Sequence, residues 1–178
     1  TLPLTLFPYT TLFRSPWFSA SADRGLADCA RDGRAVMTDR AVSVARDWLG
    51  TPYIHQASQK GVASDCLGLI RGIWRELYGE EPEAAPDYTP DWGEFGSHEL
   101  LMDGAMRHML AVERAAALAP GQVLLFRMRA GAVAKHLGIV SAAGDAPRFI
   151  HAYTHHGVID SPLTAPWRNR IAARFRFP

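Results

Sequence analysis

The sequence has few cysteines, no long apolar run and almost no net charge. Its 178 residues include two cysteines, which do not make a disulfide framework. The formal net charge is +1 and the basic residues are spread along the chain, so no nucleic-acid-binding surface is indicated. No stretch approaches the roughly eighteen consecutive apolar residues of a membrane span. With 48% apolar and 21% charged residues, the composition is that of a globular domain with a buried core.

The N-terminal segment differs in character from the rest of the chain. Residues 5–15, TLFPYTTLFRS, resemble the translation of a sequencing adapter rather than evolved protein. A signal peptide is the competing interpretation, because Ser-Ala-Ser-Ala at 19–22 resembles a cleavage site, but the segment lacks a positively charged start. We therefore expect residues 1–36 to be a non-native or disordered leader and 37–178 to be the functional domain. Cys66 is then the one cysteine of that domain.

Apolar residues that recur on one helical face predict helices in the first part of the domain. The three predicted helices cover residues 40–49, 66–78 and 98–112. Thr38 or Asp39 can cap the first helix, and Asp65 the second, which Gly79 ends. Between the last two helices, an irregular segment is expected to pack on the domain through Tyr88, Trp92 and Phe95, together with the nearby Tyr78.

From residue 120 onward the sequence is typical of strands. The predicted strands lie within residues 123–128, 135–142, 148–154, 157–163 and 170–177. Because the connections are short, a meander of antiparallel neighbours is expected. Helices followed by strands predict the α+β class, with N-terminal helices packed on a C-terminal antiparallel sheet of about five strands.

Cys66 is a candidate nucleophile because of its place in the second helix. It occupies the first turn, where the helix dipole stabilises a thiolate. The neighbouring Asp65 opposes this effect as a like charge, so a histidine partner must contribute. Taken alone, a cysteine on an apolar helix face is more often a core residue, and that alternative stays open.

Among the seven histidines, His136 and His151 are the candidates for this partner. They lie on consecutive predicted strands, and an antiparallel pair can place them side by side, so that His151 orients His136. Gly138 is expected to leave space on the same face for a ligand or a helix. A zinc site is an alternative, since His151 and His155 have a suitable spacing, but Cys66 lacks the closely spaced partner that structural zinc sites use.

These segments, taken in order, resemble the NlpC family of papain-like cell-wall cysteine peptidases. The similar segments are ARDWLGTPY, SDCLGLIRGIW, APGQVLLFR, KHLGIV and FIHA. The closing residues 157–178 and Leu67 resemble phage-type members, including those encoded with gene transfer agents. The resemblance covers essentially all of 37–178. It departs from the family where residues 54–56, Ile-His-Gln, replace the usual Trp-Gly-Gly.

The resemblance implies roles for individual residues and a papain-like, NlpC-type fold. Cys66 would be the nucleophile, His136 the base and His151 the residue that orients the base. The substrate-binding residues that it implies are Tyr53, Ser64 and Asp65. The acidic side chain among these would pair with a free ammonium group on the substrate.

The implied function is that of a phage-like peptidoglycan hydrolase. It would cut stem peptides, often between γ-D-glutamate and diaminopimelate, without a metal or other cofactor. Expected partners are peptidoglycan stem peptides and phage-tail or gene-transfer-agent baseplate proteins, with no nucleic acid and no membrane span. The protein would be made in the cytoplasm, carried by a particle and act on the cell wall in the periplasm. An amidase or acyltransferase on the same scaffold and a non-catalytic tail-tip structural protein are the alternatives, because one triad serves several reactions.

Overall fold

The computed structural model describes residues 22–86, 88 and 98–178. The chain divides into two compact units, Thr1–Gly33 and Arg34–Pro178. In the first unit the described residues are helical. The adapter-like segment 5–15 lies outside the described residues, and the assignment of 1–36 as a leader stays a prediction.

The first helix, α1, covers Ala22–Asp47 and so begins well before residue 40. The prediction that Thr38 or Asp39 caps it is wrong, because both lie inside the helix. Residues 22–37 contain no proline, and nothing in them stops a helix from continuing toward the N-terminus. The helix ends close to the predicted place, before Gly50, whose φ of 82° suits glycine.

The second helix confirms its predicted bounds. A short hairpin of β1, Ser58–Gln59, and β2, Ala63–Ser64, leads into α2, Cys66–Tyr78. Asp65 is the N-cap, and its Oδ1 accepts a hydrogen bond from the Gly68 backbone N–H at 2.7 Å. A Cβ on Gly68 would lie 1.9 Å from the carbonyl oxygen of Ala57, so only glycine lets the helix approach the preceding loop.

The third predicted helix is shorter than expected. Helix α3 covers Leu100–His108 and is followed by β3, Leu110–Ala111, rather than continuing to residue 112. Leu110 and Ala111 pair with a distant strand, and this tertiary pairing overrides the local helical pattern. Tyr88 is buried as expected, whereas Trp92 and Phe95 lie outside the described residues.

All five predicted strands are present, and β3 adds a sixth to the sheet. They are β4 Val123–Phe126, β5 His136–Ala142, β6 Arg148–Tyr153, β7 Gly157–Pro162 and β8 Ile171–Arg176. The order is β3-β8-β4-β5-β6-β7, and every neighbouring pair is antiparallel. The sheet is therefore not a simple meander, because β8 returns through the short helix α4, Ala165–Arg168, to lie between β3 and β4.

Side chains alternate between two cores on opposite faces of this sheet. Helix α2 packs through Leu69 and Ile73 on the face that carries Ile139 and Ile150. The opposite face carries a smaller core with Trp167 of α4 packed against it, and its buried members are Leu124, Phe126, Val140, Phe149 and Leu163. The N-terminus of α2 reaches the start of β5, where the candidate site lies. No helix in the described part of the chain is long and apolar enough to cross a lipid bilayer.

Candidate active site

His136 and His151 form a direct hydrogen bond inside the protein. His136 Nε2 lies 2.9 Å from His151 Nδ1, and their exposed fractions are 8% and 1%. The strand register explains this contact. His136 pairs with Phe126 and His151 lies two residues after Phe149, so all four side chains project from the face of the smaller core. The predicted juxtaposition of the two imidazoles is present in the structure.

Aromatic rings hold the histidine pair from several sides. The His151 ring stacks on Phe149, with centroids 4.3 Å apart and planes 23° apart. The ring of Trp167 lies 5.6 Å from His136 and 5.2 Å from His151. Tyr153, which is 38% exposed, adds its ring at 5.5 Å from His151. These contacts restrict the rotation of both imidazoles and cover their hydrogen bond.

The second ring nitrogen of His151 is also engaged. His151 Nε2 lies 3.0 Å from the hydroxyl oxygen of Ser161 on β7. His136, His151 and Ser161 therefore form a continuous line of hydrogen bonds across three neighbouring strands. Nothing in the local sequence indicates this role for Ser161, because it arises from pairing between β6 and β7.

The thiol of Cys66 lies against the same part of β5. Its Sγ is 3.9 Å from the carbonyl oxygen of Lys135, to which it donates, and the backbone N–H of Leu137 also points at the sulfur. Lys135 and Leu137 flank His136, so the thiol adjoins the backbone from which that imidazole projects. The hydrogen bond of the thiol is made to the strand carbonyl rather than to the imidazole.

The surroundings of Cys66 favour the neutral thiol. Burial raises its pKa to about 12, the Asp65 carboxylate adds to this effect, and backbone N–H groups lower the pKa by less. The histidines are shifted in the opposite sense. Burial, with the nearby His151, lowers the pKa of His136 to about 3. Burial lowers the pKa of His151 to about 4, although the nearby Asp160 carboxylate raises this pKa in part. At neutral pH the resting site therefore holds a thiol and two neutral imidazoles.

Asp65 is surrounded by donors of the protein itself. It is 2% exposed, and its Oδ2 accepts from the backbone N–H of Gln56 at 2.7 Å and from the hydroxyl of Tyr88 at 2.6 Å. His55 Nδ1 lies 3.5 Å from the same oxygen. The carboxylate thus anchors the start of α2 and the loop before it. A substrate ammonium group would have to share Asp65 with these donors.

The other two predicted binding residues lie beside Asp65 in the fold. Ser64 is fully buried, and its hydroxyl donates to the Asp65 carbonyl at 2.9 Å. Tyr53 is half-buried and forms a parallel bridge with Ser64. Burial raises the pKa of Tyr53, a hydrogen bond with Thr154 opposes this effect, and the nearby Cys66 and Asp65 raise the pKa further. The structure brings Tyr53, Ser64, Asp65 and Cys66 together. Their action on a substrate stays a prediction.

Two further findings change the sequence-based interpretation of the site. Gly138 does not leave open space, because a Cβ there would lie 2.7 Å from the Phe149 ring and 3.2 Å from the Cβ of His151. It instead lets these two side chains pack against β5. The sequence gives no sign that Trp167 is a site residue, because the course of α4 is what brings it to the histidines. Among the described residues, no three His, Cys, Asp or Glu side chains are grouped to hold a metal ion.

Comparison with known proteins gives similarity at the level of structure. No family model matches the sequence, and no curated protein does. The fold is similar to that of an NlpC/P60 family protein from Bacillus cereus ATCC 10987, with a TM-score of 0.52 and 21% identity over 79% of this chain and 40% of that one. It is also similar to NlpC1 from Trichomonas vaginalis, with a TM-score of 0.53 and 21% identity over 79% of this chain and 44% of that one.

This chain therefore spans less than half the length of either protein. At this level of identity, the similarity concerns the fold. The chain has the mixed α+β, papain-like fold of NlpC/P60 proteins.

Proposed function

We propose that the chain is a peptidoglycan hydrolase, a cysteine endopeptidase that cleaves stem peptides between γ-D-glutamate and diaminopimelate. The observation that carries the proposal is the buried His136–His151 hydrogen bond beside the N-terminus of the helix that bears Cys66. A cysteine at a helix start, a histidine base and a group that orients the base are the parts that nucleophilic catalysis needs. The NlpC/P60 fold supports a peptidase, and the particular bond rests on the sequence resemblance.

The proposed reaction begins with a proton transfer. His136 takes the thiol proton on Nδ1, because its Nε2 is engaged by His151. The Cys66 thiolate then attacks the amide carbonyl carbon, and the backbone N–H of Cys66 stabilises the oxyanion at the helix start. The C–N bond breaks as His136 returns the proton to the leaving amine. Water, deprotonated by His136, hydrolyses the thioester and regenerates the thiol.

The resting protonation state constrains this mechanism. Because burial favours the neutral thiol and the neutral imidazole, separating their charges costs free energy. The mutual attraction of thiolate and imidazolium offsets part of the cost, and the N–H of Leu137 offsets more. We therefore expect the ion pair to form only when substrate is bound, immediately before the attack, rather than to persist in the free enzyme.

Tyr53, Ser64 and Asp65 are proposed to form the side of the site that receives the amine end of the substrate. The cluster adjoins Cys66 and carries one buried carboxylate, which would attract an ammonium group. Tyr88 OH competes for that carboxylate in the free protein. Stem peptides with a free amine should consequently be cleaved faster than N-acetylated ones. Equal cleavage rates for the two peptides would show that Asp65 does not recognise the amine of the substrate.

Mass spectrometry of digested muropeptides tests the reaction. Wild-type protein should release fragments with a new amine end on diaminopimelate. Free lactyl groups would identify an amidase instead, and products joined to an added amine would identify an acyltransferase. Intact muropeptides after incubation with folded protein would favour a non-catalytic structural role. Metal analysis of the purified protein, run in parallel, tests the expectation that no zinc is bound.

A role in a phage-like or gene-transfer particle is proposed from the sequence of the C-terminal segment. Residues 157–178 and Leu67 resemble phage-type members of the family. The enzyme would then reach peptidoglycan in the periplasm as part of a particle, bound to tail or baseplate proteins. Purified particles from the source cells should contain the chain in fixed proportion to tail proteins. Its absence from such particles would contradict this context without affecting the proposed chemistry.

A further inference from the structure

The line of hydrogen bonds does not end at the second histidine. His151 uses Nδ1 toward His136 and Nε2 toward Ser161, so both of its ring nitrogens have a partner. Stacking on Phe149 and the edge of Trp167 fix the plane of the ring. Because the ring plane is fixed, His136 and His151 can still differ only in which of their ring nitrogens carry protons.

Only one arrangement of these protons lets His136 act as a base. To accept a proton on Nδ1, neutral His136 must carry its own proton on Nε2, which then donates to His151 Nδ1. Neutral His151 must in turn carry its proton on Nε2, which needs an acceptor. The hydroxyl oxygen of Ser161 lies at the right distance, 3.0 Å, to be that acceptor.

The opposite arrangement disables the base. If Ser161 donates to His151 Nε2, His151 carries its proton on Nδ1 and donates to His136 Nε2. His136 is then protonated on Nδ1 and has no lone pair for the thiol proton. The direction of a single hydrogen bond at Ser161 therefore selects between an active and an inactive pair of neutral imidazoles.

From this geometry we infer that Ser161 is a positioning residue, whose hydroxyl accepts a hydrogen bond from His151 Nε2–H and thereby keeps His136 Nδ1 available for the thiol proton. The inference rests on the proposed function, because the role of His136 as a base is what requires this arrangement of protons. The arrangement itself can be measured on the ring nitrogens without any substrate. Ser161 reaches the site from β7, one of the two edge strands of the sheet, and acts on Cys66 through the two histidines.

Nitrogen NMR of histidine-labelled protein reads these protons directly. In wild-type protein, both His136 and His151 should show a protonated Nε2 and an unprotonated Nδ1. The Ser161→Ala variant should show a mixture of ring forms at His136, and kcat/KM should fall by roughly tenfold or more with little change in KM. Ser161→Thr, which keeps the hydroxyl, should restore both properties.

Ser141→Ala is the matched control. Ser141 also lies in the sheet, but its hydroxyl is bonded to Asp160 Oδ1 at 2.9 Å and not to either histidine. This variant should keep the ring forms and most of the activity. Protonation of His136 on Nδ1 in wild-type protein would overturn the inference, and so would a Ser161→Ala variant with wild-type ring forms or wild-type kcat/KM. The spectra need no substrate, so a wild-type protein that cleaves nothing would overturn the proposed function and leave this test intact.

Discussion

At the scale of single residues, the site depends on imidazoles that stay neutral. His136 and His151 are held without charge because they are buried, stacked and bonded to each other. A neutral base can take a proton from a thiol at neutral pH, and a charged one cannot. Burial thus serves the proposed chemistry of the pair while it makes the thiolate of Cys66 harder to form.

Burial of the histidines predicts acid sensitivity of the fold. The unfolded chain binds protons at a pKa near 6.5, whereas folded His151 and His136 bind them at about 4 and about 3. Their contribution to stability is therefore complete above pH 6.5 and is lost as the pH falls toward these folded values. Each of the two histidines should lower the free energy of unfolding by on the order of 2 kcal/mol as the pH falls from about 6.5 to about 5.

Urea unfolding measured over this pH range checks the prediction. The free energy of unfolding should fall less steeply with acid in His136→Gln than in wild-type protein. His98→Gln, which removes an exposed histidine, is the control and should keep the wild-type slope. Parallel slopes for His136→Gln and wild type would show that the buried imidazole does not govern acid stability.

Trp167 gives a second prediction at this scale. Its ring covers the hydrogen bond between His136 and His151, so Trp167→Ala would admit water and loosen both imidazoles. We expect kcat/KM to fall by roughly tenfold or more, and the free energy of unfolding to fall by about 2 kcal/mol. Trp167→Phe, which keeps an aromatic ring, should lose much less of both. Full activity in folded Trp167→Ala would exclude the covering role.

At the scale of elements, the start of α2 is the structural foundation of the site. Asp65 caps the helix and also binds the Gln56 backbone and the Tyr88 hydroxyl. The helix is further fixed by Gly68, which lies directly against the Ala57 carbonyl. The position of the thiol is therefore set by close backbone contacts, as well as by burial of the apolar helix face.

Gly68→Ala tests this close approach. The added methyl group would meet a backbone carbonyl oxygen 1.9 Å away, which cannot move without shifting the loop before α2. We expect a loss of about 3 kcal/mol in the free energy of unfolding, together with reduced activity. Gly104→Ala is the matched control, since the nearest atom to its Cβ is 3.8 Å away, in the flexible Glu83 side chain. If thermal or urea unfolding gave equal losses of stability for the two variants, the close packing of Gly68 against Ala57 would not explain the position of α2.

At the scale of the whole molecule, the sequence predicts local features well and long-range features in part. The bounds of α2 follow from a capping aspartate, an apolar stripe and a terminal glycine, all within one segment. The contact of His136 with His151 could be predicted because consecutive strands with a short connection pair as neighbours.

Other features depend on contacts between distant segments. The insertion of β8 beside β4 and the formation of β3 require residues far apart in sequence. The contact of the Trp167 ring with the histidines and the hydrogen bond of Tyr88 to Asp65 also join segments that are distant in sequence. No periodicity or capping signal encodes such contacts. These parts of the site consequently became visible only in the folded structure.

The proposed role of Cys66 as the nucleophile of a peptidoglycan hydrolase underlies every other step of the mechanism. Its most direct test is digestion of purified sacculi by proteins made in a Cys29→Ala background, so that Cys66 is the only thiol. The parent protein should release soluble muropeptides. Introducing the Cys66→Ala substitution into this parent should lower the rate of release by at least about a thousandfold, while the thermal unfolding midpoint stays close to that of the parent. Undiminished release of the same products by folded Cys66→Ala protein would contradict the account.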